Sequence, residues 1–182
     1  MAEMEHNIAQ YIGDALSRSV VVDVGSRDIN GSYRGLVEGC KDYVGVDVEE
    51  GSNVDLVMPS EFSIPLPDGF ADLVMCGQVL EHCSNPFKLV AEVARVMSRG
   101  AYLFLCAPMI WPLHRYPLDA WRFLPDGMRC LAVGAGLEHV RGYISDMVEW
   151  RRLSDPNITI PLVYVGDSVN LGVDCWGISR KP

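Results

Sequence analysis

VVVDVGSRDINGSY, Val20 to Tyr33, and YVGVDV, Tyr43 to Val48, decide how this chain reads. In the first stretch a run of β-branched residues ends at Asp23-Val24-Gly25, turns through a polar loop and restarts near Gly31 as an expected helix. In the second, an apolar run ends in a carboxylate, Asp47. A glycine turn closing one strand and an acid at the tip of the next, about twenty residues on, is the layout of a nucleotide-type pocket. The acid there takes ribose hydroxyls. Singly, Gly25 reads as a strand cap and Asp47 as a solvated turn residue; their spacing favours the pocket.

The loop chemistry narrows the ligand. A dinucleotide site needs several glycines so that backbone can approach a pyrophosphate, and a helix N-terminus to hold its charge. Here Gly25 is followed by Ser26, Arg27, Asp28 and Ile29, with the next glycine at Gly31. Those side chains hinder close approach, and Asp28 repels phosphate. A ligand with a ribose, no phosphate and positive charge suits this loop better, and S-adenosylmethionine is such a molecule. Carboxylates such as Asp23 and Asp28 match its cationic end.

Composition sets the outer limits. The chain has 182 residues, long enough for one well-buried domain and short for two. Its 49% hydrophobic and 21% charged residues are those of a soluble globular protein. A net charge of −9 disfavours nucleic acid, since the nearest basic cluster is Arg115, Arg122 and Arg129. No apolar run is long enough to span a bilayer, and the first residues lack a basic-then-apolar leader. Cys40, Cys76, Cys83, Cys106, Cys130 and Cys175 form no CxxC pair. A reduced, cytoplasmic protein without structural zinc is the expectation.

Alternating strands and helices indicate a doubly wound, mostly parallel sheet, with an antiparallel edge strand near the C-terminus. Ile8, Tyr11, Ile12, Ala15 and Leu16 predict an opening amphipathic helix within residues 1–18. Strands are expected at Val20–Val24, Tyr43–Val48, Val54–Met58, Ala71–Cys76, Tyr102–Ala107 and about Glu138–Ile144, with CWGISRK (Cys175–Lys181) as the edge. Helices are expected near Ser32–Glu38, from Asn85-Pro86 (with Asn85 or Ser84 as cap) to Gly100, and over Asp126–Ala135. Between Ser145 and Asp174, Trp150-Arg151-Arg152 reads as a short helix, and TIPLVYV (Thr159–Val165) as a strand or apolar loop. Residues 1–182 are taken as one domain, with 19–107 the cofactor-binding half and 108–182 the acceptor side.

These residues resemble the class I S-adenosylmethionine-dependent methyltransferases, specifically the small type 11 methyltransferase-domain proteins. VVDVGSRD is similar to the family's first-strand motif and YVGVDV to its acidic second-strand motif. The stretch Ile64 to Pro108, with Leu80-Glu81-His82 after its strand, is similar to the family's central region, and GISRKP to its last strand. The departure is at Arg27 and Ile29, where family members usually carry glycine. The resemblance implies that Asp23, Gly25 and Ser26 face the methionine portion and Asp47 the ribose. It puts adenine beside Val48 and the Met58–Glu61 turn, with Ser60 or Glu61 near its amino group. Cys76, Gly77 and Gln78 come near the sulfonium.

Residues for the chemistry cluster after the fifth strand, in APMIWPLHRYPLDAWRFLPDG (Ala107–Gly127). The His114, Pro117, Asp119, Arg122 arrangement resembles a pattern in one family branch, whose members often occur among enzymes of glycan biosynthesis. A histidine serves as base near neutral pH, so His114 is the candidate base, with Asp119 orienting it. Trp111, Arg115, Tyr116 and Arg122 would hold the acceptor. The plainer possibility is that Asp119 and Arg122 simply pair while His114 caps the loop. His82 is the competing base, or else it fixes its own turn through a backbone bond. Glu81 is expected to act on the next helix's N-terminus.

Two functions stay open from these residues. One is methyl transfer to a small-molecule or saccharide-type acceptor, most simply a hydroxyl. The other is a catalytically silent binding or regulatory module of the same fold. A dinucleotide enzyme is a weaker third.

Overall fold

The computed structural model describes residues 2–150 and 169–182, with backbone alone at 146–150 and 169–173. Seven strands form one sheet: β1 (Val20–Val24), β2 (Asp42–Asp47), β3 (Leu56–Val57), β4 (Ala71–Gly77), β5 (Met97–Pro108), β6 (Glu138–Trp150) and β7 (Val169–Arg180). Their spatial order is β3-β2-β1-β4-β5-β7-β6. β1 to β5 pair in parallel, and β7 runs antiparallel to both β5 and β6. Successive connections lead one way from β1 to β2 and β3, and the other way through β4 and β5. The strand order therefore reverses between β1 and β4, and a crevice opens at their C-terminal ends.

Side-chain alternation divides the core into two layers. Val22, Val24, Val74, Leu103 and Leu105 face α2 (Pro86–Val96) and α3 (Pro125–Gly134), meeting Leu89, Val90, Val93, Met128 and Leu131. Val21, Leu73, Met75, Phe104, Trp176 and Ile178 face the other way, onto Met4 and Ile8 of α1 (Ala2–Tyr11). Both faces are covered, which is why the central strands read as unbroken apolar runs.

Several elements differ from the sequence expectations, each for a local reason. The opening helix stops at Tyr11, because Gly13 takes φ +48 and the chain continues as a 3-10 segment to Arg18. Leu16 still packs on the core from that segment, whereas Ala15 is exposed. The helix expected near Ser32–Glu38 is only a 3-10 turn, Arg34–Val37, bracketed by Gly31 and Gly39 at positive φ. α2 ends at Val96, and Met97 already pairs with Ala71 in the sheet, so the last expected helical turn belongs to β5. The third strand shrinks to two residues.

At the C-terminal end, CWGISRK lies inside the sheet, because β7 pairs with β5 on one side and β6 on the other; β6 is the outer strand. Trp150 pairs with Val169 in that ladder and starts no helix. Arg151, Arg152 and Thr159–Val165 fall outside the described residues. Among the described residues no helix is long and apolar enough to cross a membrane.

The start of α2 follows its sequence signal. The Asn85 side chain accepts the Lys88 N–H at 3.2 Å, and Pro86 sits at the first turn. Asn85→Ala is expected to cost about 1 kcal/mol, read as a lower denaturation midpoint with an unchanged slope.

Candidate active site

The crevice at the strand reversal is a cleft of about 690 Å³. Its walls are the loop after β1, the tip of β2, the turn after β4 and the loop that follows β5. Six carboxylates (Asp23, Asp47, Glu49, Glu61, Glu81, Asp174) line it against two arginines, Arg27 and Arg115. That excess of negative charge suits a cationic ligand.

Asp23 lies on β1, opposite Gly45 in the ladder, and is 2% exposed. Its carboxylate accepts the Tyr43 hydroxyl at 2.8 Å. Burial pushes its pKa up to about 7; the Tyr43 bond lowers it, and nearby Asp47 raises it further. A cation beside this carboxylate would relieve the cost of burying its charge. Gly25 follows at φ +76, and a Cβ there would stand 2.1 Å from Val79 Cγ2. Only glycine lets the chain turn this close to the wall formed after β4.

The loop beyond Gly25 is fastened to the β2 side and does not lead into a long helix. Gly25 and Ser26 donate to the Val46 carbonyl, Arg27 N–H to Asp47 Oδ2 at 3.2 Å, and Asp28 N–H to Ser52. Asn53, at φ 69, is the hub of this arrangement. Its side-chain amide nitrogen lies 2.9 Å from the Ser26 carbonyl, the Ser32 hydroxyl and the Tyr43 hydroxyl, which share its two N–H groups, and its backbone carbonyl accepts Ser26 Oγ. A Cβ at Gly45 would meet that Asn53 carbonyl at 2.1 Å, which explains the glycine inside YVGVDV. Arg27 folds over Gly51 and pairs with Glu49. A four-residue 3-10 turn supplies no dipole for a pyrophosphate, in keeping with a ligand lacking one.

Asp47 lines the cleft, with its two oxygens taking the Arg27 and Glu49 N–H groups. Val48, 47% exposed, and buried Met58 flank it. Glu61 also lines the cleft, but its Oε2 accepts Ser84 N–H and Oγ; the Ser84 hydroxyl chiefly holds its pKa below normal. Ser60 is exposed in the neighbouring turn and does not line the cleft. Cys76 does not line it either: it is fully buried in the core, and burial pushes its thiol pKa well up. Gln78 does, held at φ 58 with its amide donating to Asp174 Oδ1 at 3.0 Å.

The opposite wall carries the histidines. His82 Nδ1 is 2.5 Å from the Leu118 carbonyl, so it does make a backbone bond, but to the loop after β5 and not to its own turn. His114 Nδ1 lies 3.3 Å from Asp119 Oδ2, and the two rings meet edge-to-face with centroids 4.9 Å apart. The Asp119 side chain is 0% exposed. It accepts the His114 N–H at 2.8 Å and both Arg122 terminal nitrogens; Arg122 chiefly holds its pKa well below the usual range. Arg122 also donates to the Trp111, Pro112 and Trp121 carbonyls, so it shapes the loop and does not line the cleft. Trp111, Arg115 and Tyr116 do line it, while Trp121 anchors the loop through its indole N–H on the Cys83 carbonyl.

Glu81, expected to act on the N-terminus of α2, lies instead in the cleft wall. Its side chain is 0% exposed, neither carboxylate oxygen has a hydrogen-bond partner, and Asn85, not Glu81, caps α2. Burial pushes its pKa up to about 7. Tyr43, Asn53 and Asp174 were also missed. The tyrosine at the start of YVGVDV was read only as strand, and nothing adjacent to Asn53 marks it as a hub.

The family described as "Methyltransferase domain" matches residues 22–105, from β1 through most of β5. No curated protein sequence matches the chain. Solved structures similar to it include a methyltransferase from Bacillus halodurans, described as putative, at 17% identity and TM-score 0.69, covering 100% of this chain and 99% of that one. An S-adenosylmethionine-dependent methyltransferase from Aquifex aeolicus matches at 18% identity and TM-score 0.61, covering 98% and 89%. The [4+2]-cyclase SpnF matches at 16% identity and TM-score 0.65, covering 99% and 81%. At such identities the likeness shows the fold alone. Residues 22–105 therefore match the methyltransferase-domain family, and the chain as a whole has the fold of solved S-adenosylmethionine-dependent methyltransferases.

Proposed function

We propose that this chain methylates a hydroxyl of a small-molecule or saccharide-type acceptor. One observation carries this reading: a single cleft joins an acidic cradle at β1 and β2 to a braced histidine pair on the facing loop. Asp23, Gly25, Ser26 and Gln78 hold the amino-acid end of S-adenosylmethionine, Asp47 its ribose, and Val48, Met58 and Glu61 its base. The sulfonium supplies a methyl group that is already activated. Protein residues then have to hold the acceptor close and aligned, and to deal with its proton. Residues 19–107 supply the cofactor side and residues 108–182 the acceptor side. Trp111, Tyr116 and Arg115 border the acceptor. The histidine pair activates its oxygen, in the simplest form by His114 accepting the proton while Asp119 fixes the ring. Six free cysteines agree with a cytoplasmic site for the reaction.

The alternative, a silent binding module, rests on Arg27 and Ile29 standing in the loop where the family usually has glycine. Calorimetry separates the two at the first step. The methyltransferase reading expects micromolar binding of S-adenosylhomocysteine and isotopic methyl transfer in an acceptor panel. Binding without transfer to any acceptor favours the module, and no binding at high micromolar concentration removes the methyltransferase reading.

Asp23 makes two opposed predictions. Its folded pKa of about 7 lies above the unfolded 3.8, so it favours the folded state fully only below the latter. Stability of the ligand-free chain should fall as pH rises from about 4 to 7 and then level off. Affinity for S-adenosylmethionine should rise over pH 6 to 8, as the carboxylate ionises. Asp23→Asn should raise the pH 8 denaturation midpoint yet weaken cofactor binding by about tenfold to hundredfold. A variant that loses stability and keeps its affinity would remove Asp23 from the site.

His114→Ala should lower turnover by about 10² to 10⁴ while leaving S-adenosylhomocysteine affinity unchanged. Unaltered turnover in single-turnover assays would take His114 out of the reaction.

A further inference from the structure

We propose that Glu81, His82 and His114 form a site for a divalent transition-metal cation, whose open positions take a hydroxyl oxygen of the acceptor. One ligand atom from each residue can be chosen so that all three lie within 4.8 Å of one another. His82 Nε2 is already 3.8 Å from Glu81 Oε1. A cation with bonds of about 2.1 Å would draw such atoms to roughly 3 to 3.5 Å, a closure of about an ångström. Two imidazoles and one carboxylate are a known ligand set for divalent cations with sites left open.

Two independent features point to a ligand here. First, Glu81 is a fully buried carboxylate with neither oxygen hydrogen-bonded and the His82 ring 3.8 Å away, and it lines the cleft. A buried ionised group in that state is costly unless a cation meets it. Second, both histidines have their outer nitrogens engaged: His82 Nδ1 on the Leu118 carbonyl, and His114 Nδ1 beside the Asp119 carboxylate and the Pro112 carbonyl. That pattern fixes the tautomer, leaves each Nε2 as the acceptor, and matches the outer-shell bracing of metal-bound imidazoles. Arg122 completes the bracing by holding Asp119.

The site deepens the functional reading above: it rests on that reading for the identity of the acceptor and puts a bound cation in place of His114 as the group that activates the oxygen. A coordinated hydroxyl loses its proton to water more readily than a free one. His82 and His114 would then meet the acceptor through the ion and not by direct proton transfer.

The test uses the full chain stripped with chelator, titrated with Co²⁺ by its visible absorption and with Zn²⁺ by calorimetry. One ion per chain is expected, with affinity about 100-fold or more lower in Glu81→Gln and in His114→Ala, and about tenfold lower in Asp119→Asn. Melting curves show whether Glu81→Gln is folded; if it is not, His114→Ala, on the exposed loop, decides the matter. No saturable binding, or equal binding in wild type and folded variants, overturns the site. S-adenosylhomocysteine titrated into the same stripped chain should bind as before. Its failure to bind would overturn the methyltransferase reading, while absent ion binding would overturn only the cation site.

Discussion

Burial of the Asp23 carboxylate at the strand reversal is the constraint from which the rest of the site follows. β1 is covered on both faces, so a charge at its fourth position can reach solvent only through the open end of the sheet. There it meets the Tyr43 hydroxyl and little water. The same low-polarity surroundings that raise its pKa would strengthen its hold on a cation. Structural ion pairs elsewhere in the chain, such as Arg95 with Glu92 and Asp68, satisfy their carboxylates within the protein. Asp23 lacks any such basic partner among the described salt bridges, and it faces a cleft.

The loop after Gly25 shows how a departure in sequence can keep the pocket while changing its support. Where glycines would leave a bare turn entering a helix, this chain ties Ser26, Arg27 and Asp28 to the β2 side and braces them through Asn53. Arg27 would obstruct the cradle if it pointed inward. Glu49 draws it to the rim, over Gly51, where no side chain competes for the space. The substitution and its compensation therefore come from different segments. That separation explains why the loop alone looked damaged in the sequence.

Legibility tracked whether the decisive interaction was local. The cores of β1, β2, β4 and β5 were readable because burial on both faces demands continuous apolar runs, and Asn85-Pro86 announced α2 through its own cap. The helix expected after Gly31 failed because two glycines at positive φ close that segment to four helical residues, a feature composition alone does not reveal. β7 was misplaced to the edge because its ladders with β5 and β6 join segments far apart in the chain, which no local pattern reveals. Asp23, Gly25, Asp47, His82 and His114, singled out in the sequence by motif and by resemblance, all line the cleft. The places of Asn53 and Glu81 were not legible, since their importance comes from contacts across the fold. Cys76, one residue from the cleft-lining Gly77, shows the period-two hazard: a shift of one residue turns the side chain into the core.

The loop after β5 is braced by polar contacts that bear on its proposed chemistry. Asp119 accepts hydrogen bonds from the His114 backbone and from Arg122, and Arg122 gathers three backbone carbonyls of the same loop. His82 and Trp121 then tie that loop to the turn after β4, at the Leu118 and Cys83 carbonyls. Each bond alone is worth little at a partly exposed position. Together they set two imidazoles and a buried carboxylate at one place without a covalent link, on a loop that otherwise exposes Trp111, Leu113 and Tyr116 to solvent. A loop needed only to cover the crevice could have used apolar contacts. The polar bracing is explained if ring orientation matters, because it determines which nitrogen of each histidine faces the acceptor.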